Sequence, residues 1–299
     1  MVKTVGVLDV GCFSAHLVMV DGGHGRLLRP VESRKVPLRL DREIDPSGRI
    51  TTRGVDNICH AVAEATRRAR QPFVAYATSS IRDARNSDHV VKRVERVTGV
   101  RLRRLSPEHE AFLSYVAARQ WFGCSAGALT VLDIGGGTVE LAAGEGTRPS
   151  TAHSIPLGAR TLTRTGLSLA GMRAEAYEQV LAALPDLPVN AQAVGCSKVF
   201  QQLARLAGAR PQRDGLYATR RLRIDDLATW IPRLAALSDR RRAQLPGISA
   251  HRAPQSLAGA VLAETLMRVT GHDVVDISPW STKEGMLLTL LDAPSELTA

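Results

Sequence analysis

Short apolar runs that end in glycine turns open the chain. Residues 5–10 are apolar except for Gly6 and Asp9, and the run stops at Gly11, a pattern typical of a buried strand. Residues 17–21 are a second such run, and residues 34–40 are predicted as a third strand. Shorter runs at residues 73–78 and 101–105 have the same character. The first third of the chain is therefore predicted to contain several strands.

Apolar positions three and four residues apart predict helices between these strands. One helix starts at Thr51 or Thr52, either of which can cap it, and runs to about Arg70. A second is predicted over residues 87–98. The Ser-Pro-Glu sequence at residues 106–108 supplies a cap, a first-turn proline and an acid, which together favour the start of another helix.

The same order begins again in the second half of the chain. Residues 129–134 are an apolar run that ends in three glycines, and residues 138–143 and 154–157 are predicted as the next strands. Later elements are predicted as helices at residues 173–184, 197–206, 224–237, 254–269 and 283–291, with a strand at residues 273–277. This mixture of strands and helices predicts an α/β fold class.

An internal repeat relates the two halves. Val-Leu-Asp-Val-Gly at residues 7–11 matches Val-Leu-Asp-Ile-Gly at residues 131–135, and each copy leads through a hydroxyl-bearing turn into another apolar strand. The repeat predicts two similar α/β domains, residues 1–124 and 125–299, that face a central cleft. Ligands of such folds bind at the loops around the cleft. An arrangement in which the last helix packs back on the first domain is left open.

Each copy of the repeat carries groups suited to phosphate. Successive glycine N–H groups can converge on one anion, and a hydroxyl adds a donor. The carboxylates of Asp9 and Asp133 would repel phosphate, so they are predicted to ligate a hard cation such as Mg²⁺, with an additional monovalent cation left open. A plain hairpin explains one such turn, but two equivalent turns favour phosphate binding. The predicted phosphate contacts are Gly11, Cys12 and Ser14 in the first loop and Gly135, Gly136, Gly137 and Thr138 in the second.

These segments resemble the two phosphate loops of the exopolyphosphatase/guanosine pentaphosphate phosphatase (Ppx/GppA) family, a branch of the actin-like superfamily. The first reads Leu-Asp-Val-Gly-Cys-Phe-Ser-Ala-His-Leu-Val at residues 8–18, and the second reads Leu-Asp-Ile-Gly-Gly-Gly-Thr-Val-Glu-Leu at residues 132–141. Residues 77–86, 106–115, 156–160 and 279–285 extend the similarity to nearly the whole chain. It is closest to the short, two-domain actinobacterial type, and implies two actin-like (ribonuclease-H-like) domains.

The resemblance also implies two catalytic carboxylates. Glu110 is implied to be the general base that deprotonates a water for in-line attack on the terminal phosphorus. Glu140, just after the second loop, is implied to hold the water or the metal. Without the resemblance, Glu110 is an ordinary acid in the first turn of a helix, and Glu140 is an exposed strand residue.

Three further residues are assigned to substrate binding. Arg82 is placed to neutralise charge on the transferred phosphoryl group, with an interdomain ion pair as the alternative. Asn86 lies in the same family segment. Ser197 precedes a helix whose free N–H groups can bind an anion.

The implied activity is release of orthophosphate from the ends of inorganic polyphosphate, with Mg²⁺. Two alternatives remain: a guanosine pentaphosphate (pppGpp) 5′-phosphohydrolase using the same site, and a non-catalytic polyphosphate- or alarmone-binding paralogue. Cys12 and Phe13 replace polar residues that are common in the family, and Lys283 stands where arginine is common. We expect reduced or altered activity from these departures rather than none.

Composition agrees with a polyanionic ligand. The net charge is +10, and arginine supplies 34 of the 39 basic residues. Arginine forks match phosphate oxygens, although a general bias toward arginine is the alternative. The four cysteines have no disulfide or metal spacing, and the chain lacks the apolar stretch of a signal peptide or of a membrane span, so a cytoplasmic protein with no membrane partner is predicted. An aromatic content of 4% argues against specific nucleic-acid binding. A homodimer is compatible with the sequence.

Overall fold

The computed structural model of the protein describes residues 4–22, 28–69, 72–184, 186–188 and 190–292. The chain divides into two compact units. The first comprises Met1–Ser106 and Lys283–Ala299, and the second comprises Pro107–Thr282. The chain therefore leaves the first unit once and returns to it after the second is complete.

The first unit is built on a mixed sheet of five strands. Their order is β3-β2-β1-β4-β5, with β2 antiparallel to β1 and β3, and β4 parallel to β1 and β5. The strands are β1 (Thr4–Val10), β2 (Ser14–Asp21), β3 (Pro30–Pro37), β4 (Phe73–Ala77) and β5 (Leu102–Arg104). The helices are α1 (Thr52–Thr66), α2 (Ser79–Arg82) and α3 (Ser87–Thr98), joined by the last helix from Lys283 onward.

The apolar pattern explains most of these elements. Thr51 caps α1 by accepting a hydrogen bond from the Gly54 N–H at 3.0 Å, whereas the predicted end at Arg70 lies outside the described residues. α3 has the predicted bounds and ends at Gly99, whose φ of 71° suits glycine. β3 lies earlier than predicted and ends at Pro37. Exposed positions alternate along this strand, as is typical of a strand with one face in solvent. The start of the strand therefore has no apolar run by which it could be predicted.

The second unit repeats the plan with a sheet of six strands. Its order is β10-β11-β9-β6-β7-β8, so β8-β7-β6-β9-β11 corresponds to the strand order of the first sheet. The strands are β6 (Leu129–Ile134), β7 (Val139–Gly144), β8 (Thr151–Ile155), β9 (Gln192–Gly195), β10 (Arg221–Arg223) and β11 (Val274–Ile277). The shared order confirms the predicted α/β class, and it shows that the two units are built on one plan.

The second unit also contains helices, several of which pack on its sheet. They are α4 (Pro107–Phe122), α5 (Ala159–Arg164), α6 (Leu169–Ala182), α7 (Lys198–Leu206), α8 (Ile224–Ala236), α9 (Asp239–Arg242) and α10 (Ser256–Val269). The helix α11 (Thr282–Asp292) follows and lies in the first unit from Lys283 onward. Among the described residues, none of these helices combines the length and apolarity needed to cross a lipid bilayer.

The position of α4 sets the division between the units. Ala111 and Tyr115 on α4 pack in one buried cluster with Leu129 and Val131 of β6. The Tyr115 hydroxyl also donates to the Gly146 carbonyl at 2.9 Å. The sequence-based boundary between residues 124 and 125 places α4 with the first domain, whereas this packing places it with the second.

Candidate active site

The first loop is a tight turn between β1 and β2. Its ends are joined by a hydrogen bond from the Gly11 N–H to the Ser14 carbonyl at 3.0 Å. The carbonyls of Cys12 and Phe13 accept hydrogen bonds from the N–H groups of Leu40 and Leu38, at 3.0 and 2.8 Å. The turn is thus held through backbone atoms, so its course does not depend on the side chains of Cys12 and Phe13.

The Asp9 side chain has a buried carboxylate oxygen at the base of the first loop. Its Oδ1 has no hydrogen-bond partner among the described residues. A β-carbon on Gly11 would lie 3.8 Å from this atom, so a side chain at residue 11 would contact the carboxylate. Burial raises the pKa of Asp9 to about 6, and the positive charge of Lys283 partly opposes that rise. A buried carboxylate oxygen without a donor fits a cation ligand.

Arg82 and Asn86, which were predicted to contact substrate, form hydrogen bonds within the first unit. The Arg82 guanidinium donates to both carboxylate oxygens of Asp83, at 2.7 and 3.1 Å, and to the Leu105 carbonyl at 3.2 Å. The Asn86 amide accepts from the Ile50 N–H and donates to the Ile50 carbonyl, at 2.9 and 2.8 Å. Both side chains are fixed in place by these bonds, and their contacts with substrate stay a prediction.

The second loop connects β6 to β7 and is tied to the start of α5. The Gly158 N–H donates to the Gly137 carbonyl at 2.9 Å, the Ala159 N–H to the Gly135 carbonyl at 3.0 Å, and the Arg160 N–H to the Gly136 carbonyl at 2.9 Å. All three glycine carbonyls therefore face α5.

The direction of these carbonyls fixes the direction of the N–H groups. In a trans peptide the C=O of one residue and the N–H of the next point opposite ways. The N–H groups of Gly136, Gly137 and Thr138 therefore point away from α5. Successive N–H groups on one side of a loop form an anion-binding nest. The phosphate role predicted for this loop thus has a backbone basis.

Gly158 and Arg160 were missed as site residues by the sequence analysis. A β-carbon on Gly158 would lie 2.5 Å from the Gly136 carbonyl carbon, so no side chain fits there. The Arg160 Nη1 atom would lie 3.2 Å from a β-carbon on Gly136, which places the guanidinium beside the loop. The Pro-Leu-Gly-Ala-Arg segment at residues 156–160 carried the signal, but its contact with the loop is made only in the fold.

Thr138 ends the second loop with an unused hydroxyl. Its residue is buried, and Oγ1 has no hydrogen-bond partner among the described residues. A buried hydroxyl without a partner costs free energy, and a bound oxyanion would satisfy it. Thr138 therefore supports the predicted phosphate contact.

Asp133 is a buried carboxylate on β6 with a defined partner. Ser114 Oγ donates to Asp133 Oδ2 at 3.0 Å and lies 3.0 Å from Thr282 Oγ1. Burial raises the pKa of Asp133 to about 6, while the Ser114 hydrogen bond and then the charge of Arg252 act to lower it. Ser114 was not predicted, because a serine in an apolar helix shows no partner in the sequence.

The two predicted catalytic glutamates are buried in the second unit. Glu110 is 7% exposed, and it precedes Ser114 by four residues, so both lie on one face of α4. Glu140 is 4% exposed and pairs across the strands with Asp133; its Oε1 accepts from Ser154 Oγ at 3.3 Å. Ser114 therefore links the face of α4 that carries Glu110 to the strand pair that carries Asp133 and Glu140.

Ser197 caps α7, as its position before a helix suggested. Its Oγ accepts from the Phe200 N–H at 3.4 Å, and the residue is buried. The hydroxyl hydrogen is left for another acceptor.

Among the described residues, no three histidine, cysteine or acidic side chains are grouped closely enough to hold a metal without other ligands. Mg²⁺ commonly completes its shell with water and substrate phosphate oxygens, so one or two carboxylates are enough to hold it.

Comparison with known proteins assigns the chain to a family. Exopolyphosphatase 1 of Mycobacterium leprae is 41% identical over 99% of this chain and 91% of its own length. A guanosine-5′-triphosphate,3′-diphosphate pyrophosphatase of Aeromonas hydrophila is 24% identical over 95% of this chain and 58% of its own. The crystal structure of the Aquifex aeolicus Ppx/GppA family member superposes with a TM-score of 0.81 at 21% identity, covering 99% of each chain. A profile of the Ppx/GppA phosphatase family matches residues 17–293, and the chain belongs to that family.

Proposed function

We propose that this protein is an exopolyphosphatase that hydrolyses the terminal phosphoanhydride bond of inorganic polyphosphate. The observation that carries the proposal is the second loop, where three glycine carbonyls bond to the start of α5 and three N–H groups face the other way. The high similarity to exopolyphosphatase 1 of M. leprae supports polyphosphate as the substrate.

In this proposal the second loop binds the terminal phosphate of the substrate. The N–H groups of Gly136, Gly137 and Thr138 donate to its oxygens, and the Thr138 hydroxyl gains the acceptor that it lacks. The Arg160 guanidinium adds a delocalised positive charge beside the nest. Because these donors are held by backbone bonds before substrate arrives, little ordering is needed on binding.

Glu110 acts as general base in the proposed reaction. Its carboxylate accepts a proton from water as the water oxygen forms a bond to the terminal phosphorus. The bridging P–O bond breaks, the chain shortened by one unit leaves with the bridging oxygen, and orthophosphate is released. Glu140 orients the water, and its own orientation is held by Ser154.

A divalent cation fits the acidic residue of each loop. Asp9 offers a buried oxygen that has no donor among the described residues, and Asp133 offers a carboxylate oriented by Ser114. We propose that each of these residues is a ligand of Mg²⁺. When bound, the ion offsets the negative charge of the substrate phosphates.

Phosphate release from tripolyphosphate, long-chain polyphosphate and pppGpp tests the proposal. With Mg²⁺, wild-type protein is expected to release orthophosphate, and chelation should abolish release. Glu110→Gln, which keeps the shape of the side chain, should lower the rate by about 100-fold or more. Glu108→Gln is the matched control, since Glu108 is an exposed acid in the same helical turn.

The substrates separate the alternatives. Faster turnover of pppGpp than of either polyphosphate would make the alarmone phosphohydrolase the better assignment. Binding of polyphosphate without release from any substrate would identify a non-catalytic binding protein. Equal activity of Glu110→Gln and wild type would remove Glu110 from the mechanism.

A further inference from the structure

A row of polar residues crosses three strands beside the first loop. Asp9 on β1 pairs with His16 on β2, and His16 pairs with Lys35 on β3. Directly opposed residues on neighbouring antiparallel strands project to the same face of a sheet. The carboxylate, the imidazole and the ammonium therefore share one face. The proposed function uses Asp9 and leaves the other two without a role.

α11 brings a second ammonium to this face. Lys283 Nζ lies 3.4 Å from His16 Nδ1 and 3.0 Å from Glu284 Oε1. The Lys283 side chain is 18% exposed, so most of it is withdrawn from water. Its charge acts to lower the pKa of Asp9, which places the ammonium close to the first loop.

The bonds of His16 determine its tautomer. An ammonium has donors and no acceptor, so Nδ1 of His16 must accept from Lys283. Nε2 then carries the ring proton and donates to Ser33 Oγ at 3.0 Å. Burial, followed by the charges of Lys283 and Lys35, lowers the pKa of His16 to about 4. A ring that accepts at Nδ1 and donates at Nε2 is the neutral form, so the imidazole serves as an acceptor rather than a third cation.

Two acceptors on different elements thus define the place of the Lys283 ammonium. His16 holds it from β2, and Glu284 holds it from the adjacent position of α11. An ammonium has three N–H donors, so at least one is left after these two bonds. A cation fixed in this way binds an anion without first losing side-chain freedom.

We propose that His16 is a positioning residue that holds the Lys283 ammonium at the first loop, where this fixed charge binds a phosphate oxygen of the substrate. The inference rests on the proposed function for the class of substrate. It assigns the contact to Lys283 and the geometry of the contact to the neutral ring of His16.

A merely structural tie between β2 and α11 would use the same bonds, so the test must measure binding. Tripolyphosphate affinity is measured by calorimetry in the Glu110→Gln background, in which turnover does not interfere. Lys283→Met and His16→Leu should each weaken binding about tenfold, the effect of one hydrogen bond to a charged group. The double variant should be weakened about tenfold as well, because the two residues act as one unit.

Two control variants complete the design. His16→Gln keeps an acceptor for Lys283 and a donor for Ser33, so its affinity should stay within about twofold of the parent. Lys35→Met removes a charge from the same row but not the fixed contact. Its effect should be about threefold or less and should multiply with that of His16→Leu, as expected for an exposed charge. Thermal unfolding of each variant identifies any that fail to fold. If His16→Leu is one of them, the affinity of His16→Gln is compared with that of Lys283→Met, and this comparison is the test.

The outcomes distinguish this inference from the proposed function. Unchanged affinity in folded His16→Leu, or effects of His16→Leu and Lys283→Met that multiply, would overturn the positioning role. The expected pattern of affinities in a protein whose wild type releases no phosphate would leave the inference standing and overturn the hydrolase. Failure of the Glu110→Gln parent to bind tripolyphosphate would overturn the inference, whereas the hydrolase is still decided by phosphate release from the wild type.

Discussion

Ser114 and Asp133 illustrate how single residues of this site depend on one another. A buried carboxylate is costly unless donors compensate its charge, and Ser114 Oγ supplies one donor at 3.0 Å. This hydrogen bond acts to lower the pKa of Asp133 against the larger effect of burial. Ser114 therefore helps to keep Asp133 ionised, as the proposed cation ligand must be.

We predict that Ser114→Ala destabilises the protein by about 1.5–3 kcal/mol at neutral pH, because a buried charged group loses a donor. The shift is measured as the change in the urea unfolding midpoint. Ser87→Ala is the matched control, since the Ser87 hydroxyl is also buried but has no hydrogen-bond partner among the described residues. Its effect should be within about 0.5 kcal/mol of zero. Equal destabilisation by both substitutions would argue against the importance of the Ser114 bond.

The sequence predicted the residues of the two loops but not the partners that hold them. Asp9, Asp133 and Thr138 stand in a local motif, so their chemistry is visible along the chain. Ser114 meets Thr282 across 168 positions, and His16 meets Lys283 across 267. No local pattern encodes such distant pairs, and only the fold brings them together.

At the scale of elements, the second loop and α5 form one assembly. The loop has no side chains at its three glycines, so its course is set by backbone bonds to Gly158, Ala159 and Arg160. The close approach of the two segments requires that residue 158 have no side chain. The anion nest is thus a product of two segments more than 20 residues apart in the chain.

Gly158→Ala should therefore disturb the loop although residue 158 lies outside it. A β-carbon would meet the Gly136 carbonyl carbon at 2.5 Å, so we expect a loss of about 1–3 kcal/mol in unfolding free energy. Phosphate release should fall as well, because the N–H groups no longer converge. Gly146→Ala is the control: residue 146 is exposed, and its nearest neighbour would lie at 3.7 Å. Full activity in Gly158→Ala would contradict the role assigned to this contact.

Element prediction succeeded where the pattern was long and regular. α3 has the predicted bounds, and β1 and β6 were both predicted from apolar runs that end in glycine turns. β9 was missed because it has only four residues, starts with glutamine, and owes its strand conformation to parallel pairing with β6 and β11. α5 was missed because its six residues depend on the loop that they support.

At the scale of the molecule, the net charge of +10 favours the approach of polyanions. A long polyphosphate chain carries charge well beyond the catalytic site, whereas tripolyphosphate does not. Long-range attraction therefore acts more strongly on the longer substrate. It is also the part of binding that dissolved salt screens most.

We predict that raising the ionic strength from ~10 mM to ~100 mM increases the KM for long-chain polyphosphate several-fold, since the Debye length falls from ~30 Å to ~10 Å. The KM for tripolyphosphate should change less, and kcat should stay constant for both. Steady-state phosphate release at fixed free Mg²⁺ measures these constants. An equal change for the two substrates would mean that charges outside the immediate site contribute nothing.

The return of the chain to the first unit has a consequence for its synthesis. Residues 107–282 are continuous, whereas the first unit needs both Met1–Ser106 and the segment that starts at Lys283. A ribosome therefore makes all of the second unit before the first can be completed. Domains usually fold in the order in which they emerge. Here the first unit is completed after the second, and a stop codon just after Thr282 would leave the second unit whole while removing the segment from Lys283 onward, with its ammonium, from the first.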